Sequence, residues 1–157
     1  MESRFEKRVL YIQDNANHYL NKFGIMESTG SKISWNWCAF LFTSAWMIYR
    51  KMYKPAAFII VIEYLLIPVL ASLFTGTFSL GLISTSVGST LSLAVSILLG
   101  MFGNYIYMKN IDELMDKEPF DDQFNYQQKY GGVSWKITII FLIIANAVSL
   151  GMENLLF

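Results

Sequence analysis

Ala56-Ala57-Phe58-Ile59-Ile60-Val61-Ile62-Glu63-Tyr64-Leu65-Leu66-Ile67-Pro68-Val69-Leu70-Ala71-Ser72-Leu73-Phe74 decides the fold, because one charge interrupts an otherwise apolar run. A hydrocarbon core about 30 Å thick needs about 20 consecutive apolar residues at the helical rise, and this run approaches that length. Leu82–Met108 and Ile137–Leu156 do the same, each with at most one interior charge. The prediction is an all-α integral membrane protein with three transmembrane helices, over 55–75, 82–108 and 135–156. Composition agrees: 54% of the 157 residues are hydrophobic, 16% aromatic and only 15% charged, which soluble domains of this length seldom show. The length holds one bundle, so residues 1–157 are read as a single membrane domain.

Before the first span, Ser34–Tyr49 is apolar but short, and crowded with Trp35, Trp37, Trp46 and Tyr49. Such rings prefer the headgroup level. Basic residues lie on both sides of it, with Arg4, Lys7, Arg8, Lys22 and Lys32 before and Arg50, Lys51 and Lys54 after. A crossing helix cannot place both flanks in the cytoplasm, so 34–54 is expected to be an interfacial or re-entrant segment, with a full span as the alternative. Trp35, Trp37, Trp46, Tyr49, Arg50 and Lys51 form its expected interfacial anchor.

Residues 1–33 read as a cytoplasmic amphipathic helix and turn. Phe5, Val9, Leu10, Ile12, Ala16, Tyr19, Leu20 and Phe23 recur mostly every three or four positions, and Gly24 marks the expected stop. Polar residues interrupt every apolar run before Ser34, so no secretory signal is read and the N-terminus is expected to be retained; no lipidation motif is read either. The uncharged loop after Thr75 is expected outside. The lysines of 109–134 assign that loop to the cytoplasm despite its Asp112, Glu113, Asp116, Glu118, Asp121 and Asp122, because acids count little in orientation.

Lys plus Arg and Asp plus Glu balance at 12 each, which gives no field for nucleic acid. One cysteine, Cys38, and one histidine, His18, exclude a disulfide framework or a Cys/His zinc site within the chain. Cys38 reads as a packing residue. The acidic loop lacks the alternating ligands and central Gly of a calcium loop and reads as solvated. No metal or other cofactor is expected.

Glu63 is the first candidate for chemistry, since a charge near the middle of a span costs about 2.5 to 3.5 kcal/mol on insertion scales. It serves either as a proton or ion relay or substrate contact, or as a protonated packing group hydrogen-bonded to a neighbouring helix. Asn146, near the middle of the third span, is its expected partner. In the second span Ser84, Gly88, Ser92, Ser96 and Gly100 recur every four residues and lead to Asn104, a strip along which helices pack closely, within the bundle or between two copies. Pro68 frees one backbone carbonyl in the first span.

Trp35-Asn36-Trp37-Cys38-Ala39-Phe40-Leu41-Phe42, Trp46, Tyr49-Arg50-Lys51-Met52-Tyr53 and Asn104-Tyr105-Ile106-Tyr107 together resemble the bacterial membrane family known as domain of unknown function 2628. Cys38 stands where that family usually has alanine, and Thr43-Ser44 where a Gly-Pro is common. The resemblance spans roughly Lys22 to Ser134. It implies a small bacterial inner-membrane protein and supplies no catalytic residue. The leading expectation is a non-enzymatic accessory subunit that meets the lipid bilayer and either another membrane protein or a second copy. The alternatives are a small oligomeric transporter or channel using Glu63, and a membrane immunity or regulatory protein.

Overall fold

The apolar runs are helical, and three stretches are long and apolar enough to cross a membrane: Tyr53–Leu70, Gly88–Asp116 and Gln123–Val148. The computed structural model describes residues 4–75 and 86–156, and among these there is no strand. In chain order the helices are α1 (Arg4–Ile12), α2 (Ala16–Thr29), α3 (Trp37–Tyr49), α4 (Tyr53–Val61), α5 (Ile67–Thr75), α6 (Ser86–Asp116), α7 (Gln123–Tyr130) and α8 (Trp135–Leu156). A π-helical turn, Ile62–Leu66, joins α4 to α5 into one continuous first span. Ser84 and the expected outside loop at 76–81 lie outside the described residues.

The single amphipathic helix expected at the N-terminus is two helices. Gln13 and Asn15 adopt positive φ, 55° and 60°, and turn the chain between α1 and α2. Asn tolerates that left-handed conformation because its side chain can bond locally. Gly24 does not stop α2, which runs on to Thr29 and closes on Gly30 at φ 67°.

Residues 109–116, expected in a loop, extend α6 to 31 residues, about 46 Å against a hydrocarbon thickness of about 30 Å. The extension holds because α1 and α2 cover it: Tyr11, Ile12, Tyr19, Phe23 and Met26 form one buried cluster with Tyr107, Met108 and Ile111. This cap closes one end of the bundle.

α3 is the hub, packing on α4, α6 and α8. It consists of two helical halves broken at Thr43, whose φ of 38° and ψ of −114° are not helical. The extended lead-in docks on α6: Ser34 N donates to Met101 O at 2.9 Å and Asn36 N to Gly100 O at 2.7 Å. Gly100 and Gly103 permit this approach, since a Cβ on Gly100 would stand 3.0 Å from Phe40 Cβ and one on Gly103 2.8 Å from Ala39 Cβ. The outgoing half returns to the same part of α6, with Trp46 edge-on to Tyr107 at 6.1 Å. Both ends of α3 therefore lie toward the cap, and Thr43 is its far point.

Candidate functional site

The far point of α3 meets the π-helical turn of the first span. Pro68 has no N–H and its ring crowds the preceding turn, which an i to i−5 register relieves; Ile67 N accordingly donates to Ile62 O. That register carries Glu63. Ser44, the first residue after the α3 break, donates from Oγ to Glu63 Oε2 at 3.0 Å.

Around this pair lies a cavity of about 480 Å³. Its polar wall is Thr43, Ser44, Glu63, Tyr64, Ser92, Ser96 and Asn146, and its apolar wall includes Phe42, Ala45, Phe141 and Leu142. Glu63 is the one carboxylate among these lining residues. Ser96 Oγ donates back to Ser92 O at 3.1 Å, whereas the buried Ser92 Oγ has no partner. The cavity thus offers one acid, Glu63, while the unpartnered Ser92 hydroxyl is sealed in its wall.

The expected Glu63–Asn146 hydrogen bond is not formed. Asn146 Nδ2 donates instead to Leu142 O at 2.8 Å, the local bond one turn back that a helical Asn can always reach. Both side chains still face one cavity, with Ser44 of α3 taking the place expected for Asn146.

The strip of small residues divides in two. Ser92 and Ser96 line the cavity, while Gly100 receives Trp35 and Phe40. Gly88 is buried. Asn104 is fully buried and belongs to a separate network: Asn36 Nδ2 donates to Asn104 Oδ1 at 2.8 Å, Asn104 Nδ2 donates to Ser34 Oγ at 3.1 Å, and Asn36 Oδ1 caps α3 by accepting from Ala39 N at 3.0 Å. That network is satisfied on every side and holds the lead-in of α3 to α6.

The expected anchor set also divides. Trp37 is 65% exposed, and Trp35 packs edge-on to it at 5.3 Å. Trp46 and Arg50 are buried inside the protein and do not meet headgroups as anchors would, because α2 covers that end of α3. Tyr49 meets Trp135 edge-on at 4.7 Å, and Lys51 Nζ donates to the carbonyls of Gln128 and Lys129 at 3.0 and 3.3 Å, capping α7.

The acids read as solvated are in part structural. Asp112 accepts from Arg8 Nε at 3.0 Å and Arg4 Nη2 at 2.9 Å, while Arg8 also grips Glu27 at 2.7 and 3.1 Å. Glu118 accepts from Lys7 at 3.2 Å, from Tyr11 at 3.1 Å and from Gln127. The Arg8 hydrogen bonds hold the Glu27 carboxyl below the usual range. Burial pushes Glu118 upward, but its three donors outweigh that and hold it low. Sequence reasoning missed Ser44, Asp112, Glu118 and the burial of Arg50, since each acquires its role from a partner distant in the chain.

Residues 9–112 match the sequence family described as "Protein of unknown function (DUF2628)", and the chain belongs to that family. That stretch includes Thr43, Ser44, Glu63, Ser92 and Ser96, but not Asn146. Neither the curated proteins nor the solved structures offer a match.

Proposed function

We propose that this member of the family is a small transporter or channel that takes up a proton or a monovalent cation at Glu63, within the membrane. The observation that carries the reading is the meeting of two backbone breaks, the π-helical turn and the Thr43 break, at one carboxylate on a polar cavity. Irregular backbone at membrane depth is tolerated where it lines protein or a cavity, and broken helices supply the oxygens of many intramembrane ion sites. One carboxylate among neutral oxygens balances a single positive charge, whereas a calcium site gathers six to eight oxygens with several carboxylates.

All twelve Lys and Arg fall within 4–54 and 109–136, the segments that build the cap. On the positive-inside rule the cap and N-terminus are cytoplasmic and α3 is re-entrant, in keeping with a bacterial inner-membrane protein. The rival reading, an accessory subunit, draws on Phe120 and Phe124, 90% and 69% exposed on the cap, as a surface for a protein partner.

A hydrophobic carbodiimide tests the site, since it reacts with a protonated carboxyl in an apolar setting. On the full chain in detergent, mass spectrometry is expected to find the adduct on Glu63, with labelling that falls as pH rises or as a bound cation is titrated in. Labelling of Glu63 that ignores both pH and every alkali cation would leave the accessory reading in its place.

A further inference from the structure

A second cavity, of about 400 Å³, lies between α8, the two halves of α3 and the α1–α2 turn. Along α8 it runs from Trp135 past Thr138 to Leu142, about 10 Å at the helical rise. Its ends differ. Toward the cap it is lined by Asp14, Tyr49 and Arg50; nearer the α3 break, by Phe42 and Leu142, and Cys38 lines it as well.

Arg50 is the anomaly. It is only 5% exposed, yet among the described residues no carboxylate lies within ion-pair distance of it, whereas Arg8, equally buried, grips two. Its guanidinium lies 4.4 Å from the Tyr19 ring centre and donates from Nη1 to the backbone carbonyl of Asp14 at 2.9 Å; Nε is buried without a partner. Aromatic faces and one carbonyl stabilise a cation without neutralising it, and buried charges are ordinarily paired. Beside it the exposed Asp14 carboxylate accepts from Tyr49 Oη at 3.1 Å, and among the described residues no cation lies within ion-pair distance of it. A buried cation and a solvent-exposed anion, neither in an ion pair among the described residues, thus stand at the polar end of a largely apolar slot.

We propose that this slot binds an aminophospholipid, its phosphate on Arg50, its ammonium on Asp14 and its acyl chain running toward Phe42 and Leu142. The charge pair selects the ligand: a purely anionic headgroup would meet Asp14 without compensation, and a free phosphate would leave the apolar length empty. An acyl chain in the slot covers Cys38, which supplies a built-in probe. The inference stands independently of the Glu63 reading, although Phe42, Ala45 and Leu142 line both cavities.

The test uses the delipidated full chain in detergent, with phosphatidylethanolamine, phosphatidylglycerol or soluble phosphorylethanolamine added. Native mass spectrometry is expected to show one phosphatidylethanolamine retained in preference to phosphatidylglycerol. Asp14→Asn should lower that preference about tenfold, the worth of one charge-assisted hydrogen bond. In the unmodified protein phosphatidylethanolamine should also slow alkylation of Cys38, and phosphorylethanolamine should not. Equal retention of the two lipids, a preference untouched by Asp14→Asn, or a Cys38 rate that lipid leaves unchanged would overturn the proposal.

Discussion

The cap and the middle of the bundle both collect charged and hydroxyl side chains, but they finish them differently. Where α1 and α2 meet α6, Arg8 holds Glu27 and Asp112 together and Glu118 takes bonds from Lys7, Tyr11 and Gln127, so each of these charges meets its counterpart. Around Glu63 one acid accepts from Ser44, while Ser92 Oγ is left without a partner and the space beside them stays open. A network closed on itself is what stability alone requires. One left open at membrane depth, where unpaired polar groups cost most, needs another explanation, and the proposed ion or proton would supply it.

The largest effect on stability is expected from breaking the closed side. Arg8→Leu leaves Asp112 buried with only the exposed Arg4, and should cost about 3 to 5 kcal/mol, as for a buried ion pair that loses one partner. Chemical denaturation in detergent measures it; a loss below 1 kcal/mol would place this pair among weak surface bridges and erase the contrast with the middle. Gly103→Leu comes next. Its side chain would drive α3 off α6 at a contact already closed to 2.8 Å by a Cβ alone, at a cost of about 1 to 3 kcal/mol or more. Leu93→Phe, on an exposed face of the same helix, serves as the control and should cost nothing measurable.

Thr43→Gly is expected to act in the opposite direction. Positive φ on a β-branched residue is strained by about 1 to 3 kcal/mol, so glycine should raise stability by up to about 1 kcal/mol after its own entropy is charged against it. A destabilised Thr43→Gly would mean that the Thr43 side chain is itself needed at the cavity.

The smallest effect is on pH. The Glu27 and Glu118 carboxyls sit below their ordinary value of 4.5 in the folded protein, so the stability they contribute is complete above that value. It is lost as pH falls through their lower folded values. Hydrogen exchange of α1 should therefore speed up in acid before that of the spans does. Protection of α1 unchanged down to about pH 3 would mean that apolar contacts alone hold the cap.

What the sequence made legible follows the range of the forces involved. Three apolar runs declare their spans because burial in lipid acts on each segment separately, and Glu63 stands out as a charge within one of them. The return of α3 could be argued from its basic flanks, but its break at Thr43 was hinted only by the Gly-Pro common there in the family, because neither Thr43 nor Ser44 is itself a helix breaker. The extension of α6 through Asp112 depends on Arg8, over one hundred residues away. Asn146 shows the opposite failure: matching depth suggested a partner across the bundle, and the carbonyl one turn back was nearer. Arg50 reads as an anchor from its place beside a span and is buried only because α2 folds over it.

Flux through the reconstituted protein tests the central claim most directly. Proteoliposomes carrying an imposed proton or alkali-cation gradient should dissipate it faster with the parent protein than without. Glu63→Gln, which keeps the shape and the bond to Ser44, should fold with equal stability and return the rate to that of empty vesicles. A parent protein with no flux for any of these ions, or a Glu63→Gln variant that conducts as well as the parent, would contradict the account.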